Sequence, residues 1–318
     1  MKLIDYVLQW LGARSLRAML ILVVFAMLAM VFFMSRIDNS PEPPMPLANV
    51  ETDEPEPETN VPVTTVPEPA PERKPKFVSP EAFFADLRGG FDPQDWRPST
   101  HTNDTPNNHY GGPWKSENIV ARDDRLSLLI RAGQDGNRPT MAEIQTKRNF
   151  WYGRYEVIMQ PSGEGGTVSA FFTYTGPWSG DPHDEVDIEF LGRHPDEVEF
   201  NYFKNGKTGE SDRYTLDFNP SESMNLYAFD WRPDEIIWYV NDQEVYRPPT
   251  DRMDIQTSPS NIFLSAWTGA KFIEGWVGPA QFGDEASVDF ACVSFTPFSD
   301  TSYSCSDMFA EDFQFRSN

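Results

Sequence analysis

His183-Asp184-Glu185-Val186-Asp187-Ile188-Glu189-Phe190-Leu191-Gly192 alternates acidic and apolar side chains from Glu185 to Phe190. A period of two is the mark of a β-strand, whose successive side chains point to opposite faces. As a strand, the segment sets Glu185, Asp187 and Glu189 on one face and Val186, Ile188 and Phe190 on the other. The apolar face calls for a core beneath it. The acidic face spaces its carboxylates about 7 Å apart, where like charges repel and add nothing to stability. Such a row makes sense if it does chemistry. A cation site and a solvated polar strand face are the competing readings of the same pattern.

From Phe77 onward the chain keeps this texture. β-rich stretches recur, among them Leu126–Arg131, Ala142–Lys147, Gly153–Gln160, Thr167–Tyr174, Val198–Phe203, Asn225–Trp231, Ile262–Trp267 and Ala286–Phe295, separated by Gly, Pro, Asn and Asp. Many short strands at near-regular spacing predict an all-β sandwich or barrel of antiparallel sheets. Asn241-Asp242-Gln243 reads as a hairpin turn between two of them. Only Pro80–Leu87 carries a helical period.

The N-terminal quarter is organised differently. Residues 18–34 are uninterrupted by charge and follow Lys2, Arg14 and Arg17. This predicts a cytoplasmic N-terminus (1–17) and a transmembrane anchor (18–34), favoured over a cleaved signal because Phe-Phe-Met-Ser-Arg is a poor cleavage site. Residues 35–76 are dense in Pro and Glu and cannot bury a core, so they predict a disordered, self-repelling linker. Residues 77–300 then form one domain and 301–318 a tail of no evident purpose. This order places the domain in the periplasm or outside the cell, or makes it secreted if the anchor is removed.

Composition narrows the partners. With 49 acidic against 26 basic residues the formal charge is -23, which argues against nucleic acid and anionic headgroups and favours a neutral polymer. The 14% aromatic content suits a cleft that stacks on sugar faces, and equally an all-β core. Cys292 and Cys305 are the only cysteines and would pair in an oxidising compartment.

Two carboxyls about 5–5.5 Å apart can cleave a glycosidic bond with retention, one as nucleophile and one as acid/base. Glu185 and Glu189 are four residues apart, about 13 Å between Cα atoms on a flat strand, so the chemistry requires a curved sheet whose hollow face is the cleft. Asp187 between them would keep the two glutamates in different protonation states.

Glu185-Val186-Asp187-Ile188-Glu189 resembles the E-x-D-x-E signature of glycoside hydrolase family 16, in particular its bacterial lichenase and exopolysaccharide endoglycanase branch. Tyr152–Val157, Gly166–Pro177, Phe200–Phe203 and Tyr227–Trp231 extend the likeness over roughly residues 90–296. The resemblance implies a concanavalin A-like jelly roll with a concave substrate cleft and retaining endo-cleavage of a β-glucan or a β-glucan-backbone exopolysaccharide. It implies Glu185 as nucleophile, Asp187 as its assistant and Glu189 as acid/base, an order that the pattern alone leaves open. It implies substrate contacts from Glu143, Phe172, Tyr174, Asn201, Trp267 and Trp276. His183 and Phe203 stand where lichenases carry Trp and Tyr, so they too belong to the cleft and bear on specificity. No cofactor is implied for catalysis. Asp289 matches a position where lichenases hold a structural calcium. The absence of an extra residue between Ile188 and Glu189 points away from the bulged laminarinase type. Transglycosylation by the same carboxylates, and an inactive tethered glycan-binding protein, are the alternative functions.

Overall fold

The computed structural model describes residues 81–313 apart from 105–107, 135, 250–254 and 256–257. The expected anchor and linker lie outside the described residues. Among the described residues no helix is long and apolar enough to cross a membrane.

The strands are, in chain order, β1 (Phe83–Asp86), β2 (Trp96–Pro98), β3 (Ile119–Arg122), β4 (Arg125–Arg131), β5 (Ala142–Thr146), β6 (Gly153–Gln160), β7 (Thr167–Thr175) and β8 (Asp184–Leu191). They continue with β9 (Glu197–Lys204), β10 (Lys207–Thr208), β11 (Asp212–Thr215), β12 (Asn225–Trp231), β13 (Ile236–Val240), β14 (Gln243–Tyr246), β15 (Asn261–Thr268) and β16 (Glu285–Thr296). One sheet runs β10-β9-β8-β7-β15-β5-β2, with β11 added on β9; the other runs β14-β13-β12-β6-β16-β4-β3, with β1 added on β16. Paired strands are antiparallel. This is the all-β sandwich of the sequence reading.

The core lies between the sheets and is built from the predicted alternation. Val186, Ile188 and Phe190 of β8 are buried with Tyr227, Phe229 and Trp238 from the other sheet. Phe190 meets Tyr227 edge to face at 4.8 Å between ring centroids. Trp238 also donates its indole N–H to the Asp187 carbonyl at 3.0 Å, so the second sheet holds the acidic strand from beneath. The turn at Asn241 and Asp242 has positive φ at both residues, the left-handed pair that a tight β13–β14 hairpin needs.

One expectation is corrected. The segment at Pro80–Leu87 is no helix: its described part forms β1, which pairs with β16 from Phe83↔Phe295 to Asp86↔Cys292. A helix of that length gains little on its own, whereas an open sheet edge supplies backbone partners and a pocket for Phe83. The described part of the tail holds an element that the sequence reading left without a role. Cys305–Asp312 is a helix opened by a capping box between Ser304 and Asp307. It buries Met308 and Phe309 against Ile158, Leu226 and Ala291 on the outer face of the second sheet. A Cys292–Cys305 disulfide fixes its first residue there.

Candidate active site

β8 pairs with β7 and β9 in unbroken register, so no bulge interrupts the acidic row. Cross-strand pairing then lines up three rows over the face of the first sheet. Glu185 lies opposite Tyr174 on β7 and Phe203 on β9. Asp187 lies opposite Phe172 and Asn201, and Glu189 opposite Ala170 and Glu199. The rows continue through β15 to β5, where Glu143 pairs with Ser265. Together they floor a cleft of about 980 Å³ that crosses the sheet from β9 to β2. Glu185, Asp187, Glu189, Glu143, Phe172, Tyr174, His183, Asn201, Phe203, Trp267 and Trp276 all line it.

Two neighbours fix Glu185. The ring Nε2 of His183 lies 2.5 Å from Glu185 Oε2. His183 is itself held by stacking on Phe203 at 4.7 Å and by the edge of Tyr174 at 5.1 Å. Gly206 N–H donates to its carbonyl. On the other side Asp187, only 3% exposed, hydrogen-bonds Glu185. Burial and then the charges of Glu185 and Glu189 push the Asp187 carboxyl well above its ordinary range, so it is the proton donor of that pair.

Glu189 is pushed up to about 8, first by burial and then by the charges of Glu185 and Glu199. Glu143 is raised to about 7, chiefly by burial; Ser99, whose hydroxyl donates to it at 2.5 Å, opposes the shift, and Glu185 adds to it. At neutral pH Asp187 and Glu189 are therefore held in the protonated form. The amide oxygen of Asn201 is buried without a protein partner, an unspent acceptor in the wall of the cleft.

Aromatic side chains form the sides. Tyr110, Trp114 and Trp267 cluster edge to face with centroids 4.9 and 5.1 Å apart. Trp276, 36% exposed, leans on Trp267 at 5.9 Å and donates its indole N–H to Glu199 at 2.9 Å. Glu199 is paired in turn with Arg213. Arg193 clamps the backbone of the same turn through the carbonyls of Gly275 and Trp276. Flat rings held this way suit sugar faces.

The sequence reading missed Arg97, Tyr110, Trp114, Gln145, Trp178, Phe263 and Ser265, which also line the cleft. Gln145 was within reach, because it follows Glu143 by two residues on one strand. Arg97 was not, because its three-residue strand β2 has no period to read.

The family model for the glycosyl hydrolases family 16 matches residues 106–290. The chain belongs to that family. Its relatives include the beta-glucanase of Brevibacillus brevis, 42% identical over 172 residues, which are 53% of this chain and 64% of that protein. The beta-glucanase of Acetivibrio thermocellus is 33% identical over 67% of this chain and 62% of its own length. The chain thus spans less than two thirds of these two relatives. Among solved structures, a prokaryotic β-1,3-1,4-glucanase (lichenase) from a mouse hindgut metagenome superposes with TM-score 0.63 and 34% identity over 69% of this chain and all of that one. A laminarinase catalytic domain from Thermotoga maritima shares the fold at TM-score 0.59 and 18% identity.

At Asp289, where the family resemblance implies a calcium, both carboxylate oxygens have protein neighbours. Asp289 Oδ1 accepts hydroxyl hydrogen bonds from Ser127 and Ser287, both at 2.7 Å, and Oδ2 lies 3.0 Å from Arg125 Nε. A guanidinium already supplies the counter-charge that a cation would bring. Among the described residues no group of three or more His, Cys, Asp or Glu is placed to share a metal ion.

Proposed function

We propose that this family 16 protein is a retaining endo-β-glucanase acting on a 1,3-1,4-β-glucan or a β-glucan-backbone exopolysaccharide. One observation carries the reading: Glu185, held between His183 and Asp187, shares an aromatic-walled cleft with Glu189, an acid raised to about 8. The names of the lichenase and beta-glucanase relatives supply the polymer class.

In the first step Glu189 gives its proton to the glycosidic oxygen while Glu185 attacks the anomeric carbon and forms a glycosyl-enzyme. Asp187 donates its hydrogen bond to Glu185 throughout, orienting it and taking up part of its charge. Glu189, now ionised, takes a proton from water, whose oxygen displaces Glu185 and restores both groups. The unpaired Asn201 oxygen is placed to accept a sugar hydroxyl beside the reacting ring. The domain acts at the membrane surface, tethered through residues 18–34 and spaced from it by 35–76, in the periplasm or outside the cell.

The test is hydrolysis of barley-type mixed-linkage glucan by the full chain and its Glu185→Gln variant. The parent should release endo-products whose new reducing ends are first formed as the β-anomer, seen by NMR. The variant should lose at least about 10³-fold in kcat. α-Anomer first, or full activity in the variant, would reject the mechanism. Products longer than the donor would assign the same site to transfer.

A further inference from the structure

Arg97 and Trp178 stand at the β2 end of the cleft, away from Glu185, Asp187 and Glu189. The cross-strand row through Asp187 runs by Phe172, Phe263 and Gln145 to Arg97. Four strand spacings separate Arg97 from Asp187, about 19 Å along the direction in which a polymer would lie. Trp178 is 58% exposed, on the short turn Pro177–Ser179 that follows β7. The Arg97 guanidinium lies over its ring at 5.6 Å and donates from Nη2 to Gln145 Oε1 at 2.8 Å. Gln145 donates in turn to Ser99 and Ser99 to Glu143, so a side-chain relay fixes Arg97 to the cleft floor.

Arg125, Arg148, Arg154, Arg213 and Arg247 all sit in ion pairs, as an acidic protein makes easy. Among the described residues no carboxylate pairs with Arg97. Among them too, Arg122 bonds only Ser127 and Arg193 only backbone carbonyls, but of the arginines without an ion pair Arg97 is the one that lines the cleft. A preorganised guanidinium with spare N–H groups, beside an open indole face, matches a ring that carries an anion.

We infer that this end of the cleft is a distal subsite for a sugar bearing a carboxylate substituent, with Trp178 stacking on the ring and Arg97 pairing with the acid. The inference rests on the cleft being a polysaccharide site. It does not conflict with the negative charge of the chain, because surface charges beyond about 8–10 Å are screened while Arg97 would touch its ligand.

The test is affinity electrophoresis of the full chain carrying Glu185→Gln, in gels containing either mixed-linkage glucan or the same glucan carboxymethylated. The carboxymethylated polymer should bind more tightly, and Arg97→Gln should reduce the charged-to-neutral affinity ratio about tenfold. Arg97→Lys should recover part of that ratio, and Trp178→Ala should weaken binding to both polymers. A ratio that Arg97→Gln leaves unchanged, or no retardation by either polymer, overturns the subsite. Cleavage by the chain with Glu185 intact is scored separately. An Arg97-dependent ratio without cleavage keeps the subsite and rejects the hydrolase; cleavage with an insensitive ratio does the reverse.

Discussion

The proposed mechanism needs Glu189 protonated at the outset, and its surroundings favour that form. Burial and the charges of Glu185 and Glu199 raise it to about 8, so the alkaline limb of kcat/KM should fall near that pH in the free enzyme. Glu199→Gln removes one of those charges and should move the limb to lower pH, a shift that a general loss of binding would not produce. Stability should respond with a definite sign. Between the ordinary value of 4.5 and about 8 the folded state holds a proton on Glu189 that the unfolded chain has released. Stability therefore falls as pH rises through that window. Glu189→Gln should raise Tm more at pH 8 than at pH 5, measured by thermal melts in matched buffers; an equal gain at both would contradict the assignment. The three carboxylates were legible because period-two alternation puts them on one face whatever the rest of the fold. Their protonation order was not, because it depends on burial and on Glu199, contributed by the neighbouring strand.

The elements that sequence periodicity misread are those whose conformation is decided by a neighbour. Phe83–Asp86 became a strand because the β16 edge was open to it, and the bend to β2 left too few residues for any period. The Cys305–Asp312 helix did leave a local sign, the Ser304-to-Asp307 capping box, but its purpose shows only in the packing on β6, β12 and β16. A disulfide with a sequence separation of 13 ties that helix to β16. Closing a loop of this size stabilises by about 3 kcal/mol. Cys305→Ser should lower the urea unfolding free energy by about 2–3 kcal/mol while leaving the cleft, on the other sheet, able to cleave glucan. The β4–β16 pair offers a second check. Arg125 supplies the positive charge at Asp289, so EDTA should leave Tm within about 1 °C, whereas Arg125→Ala strands a half-buried carboxylate and should lower it by several degrees. A marked fall in Tm with EDTA alone would restore a metal to this site.

Across the full 318 residues the sequence divides by physical regime. The sandwich could be read because strand alternation, turn residues and aromatic content agree over more than two hundred positions, and each reports the same buried face. The stretch 18–34 is proposed as a membrane anchor on a different ground, a charge-free apolar run behind three basic residues. The proposed topology would place Cys292 and Cys305 in an oxidising compartment, where a structural disulfide persists. These arguments predict that the full chain sediments with membranes and survives a carbonate wash. Replacing Leu22 and Val24 by Arg should release it, because two charges at mid-span cost about 5–7 kcal/mol on insertion. Protease added outside the membrane should free a fragment that begins within 35–76 and still cleaves glucan. Recovery of soluble protein from unmodified cells, with a new N-terminus after residue 34, would instead show that the segment is a leader and the enzyme is released.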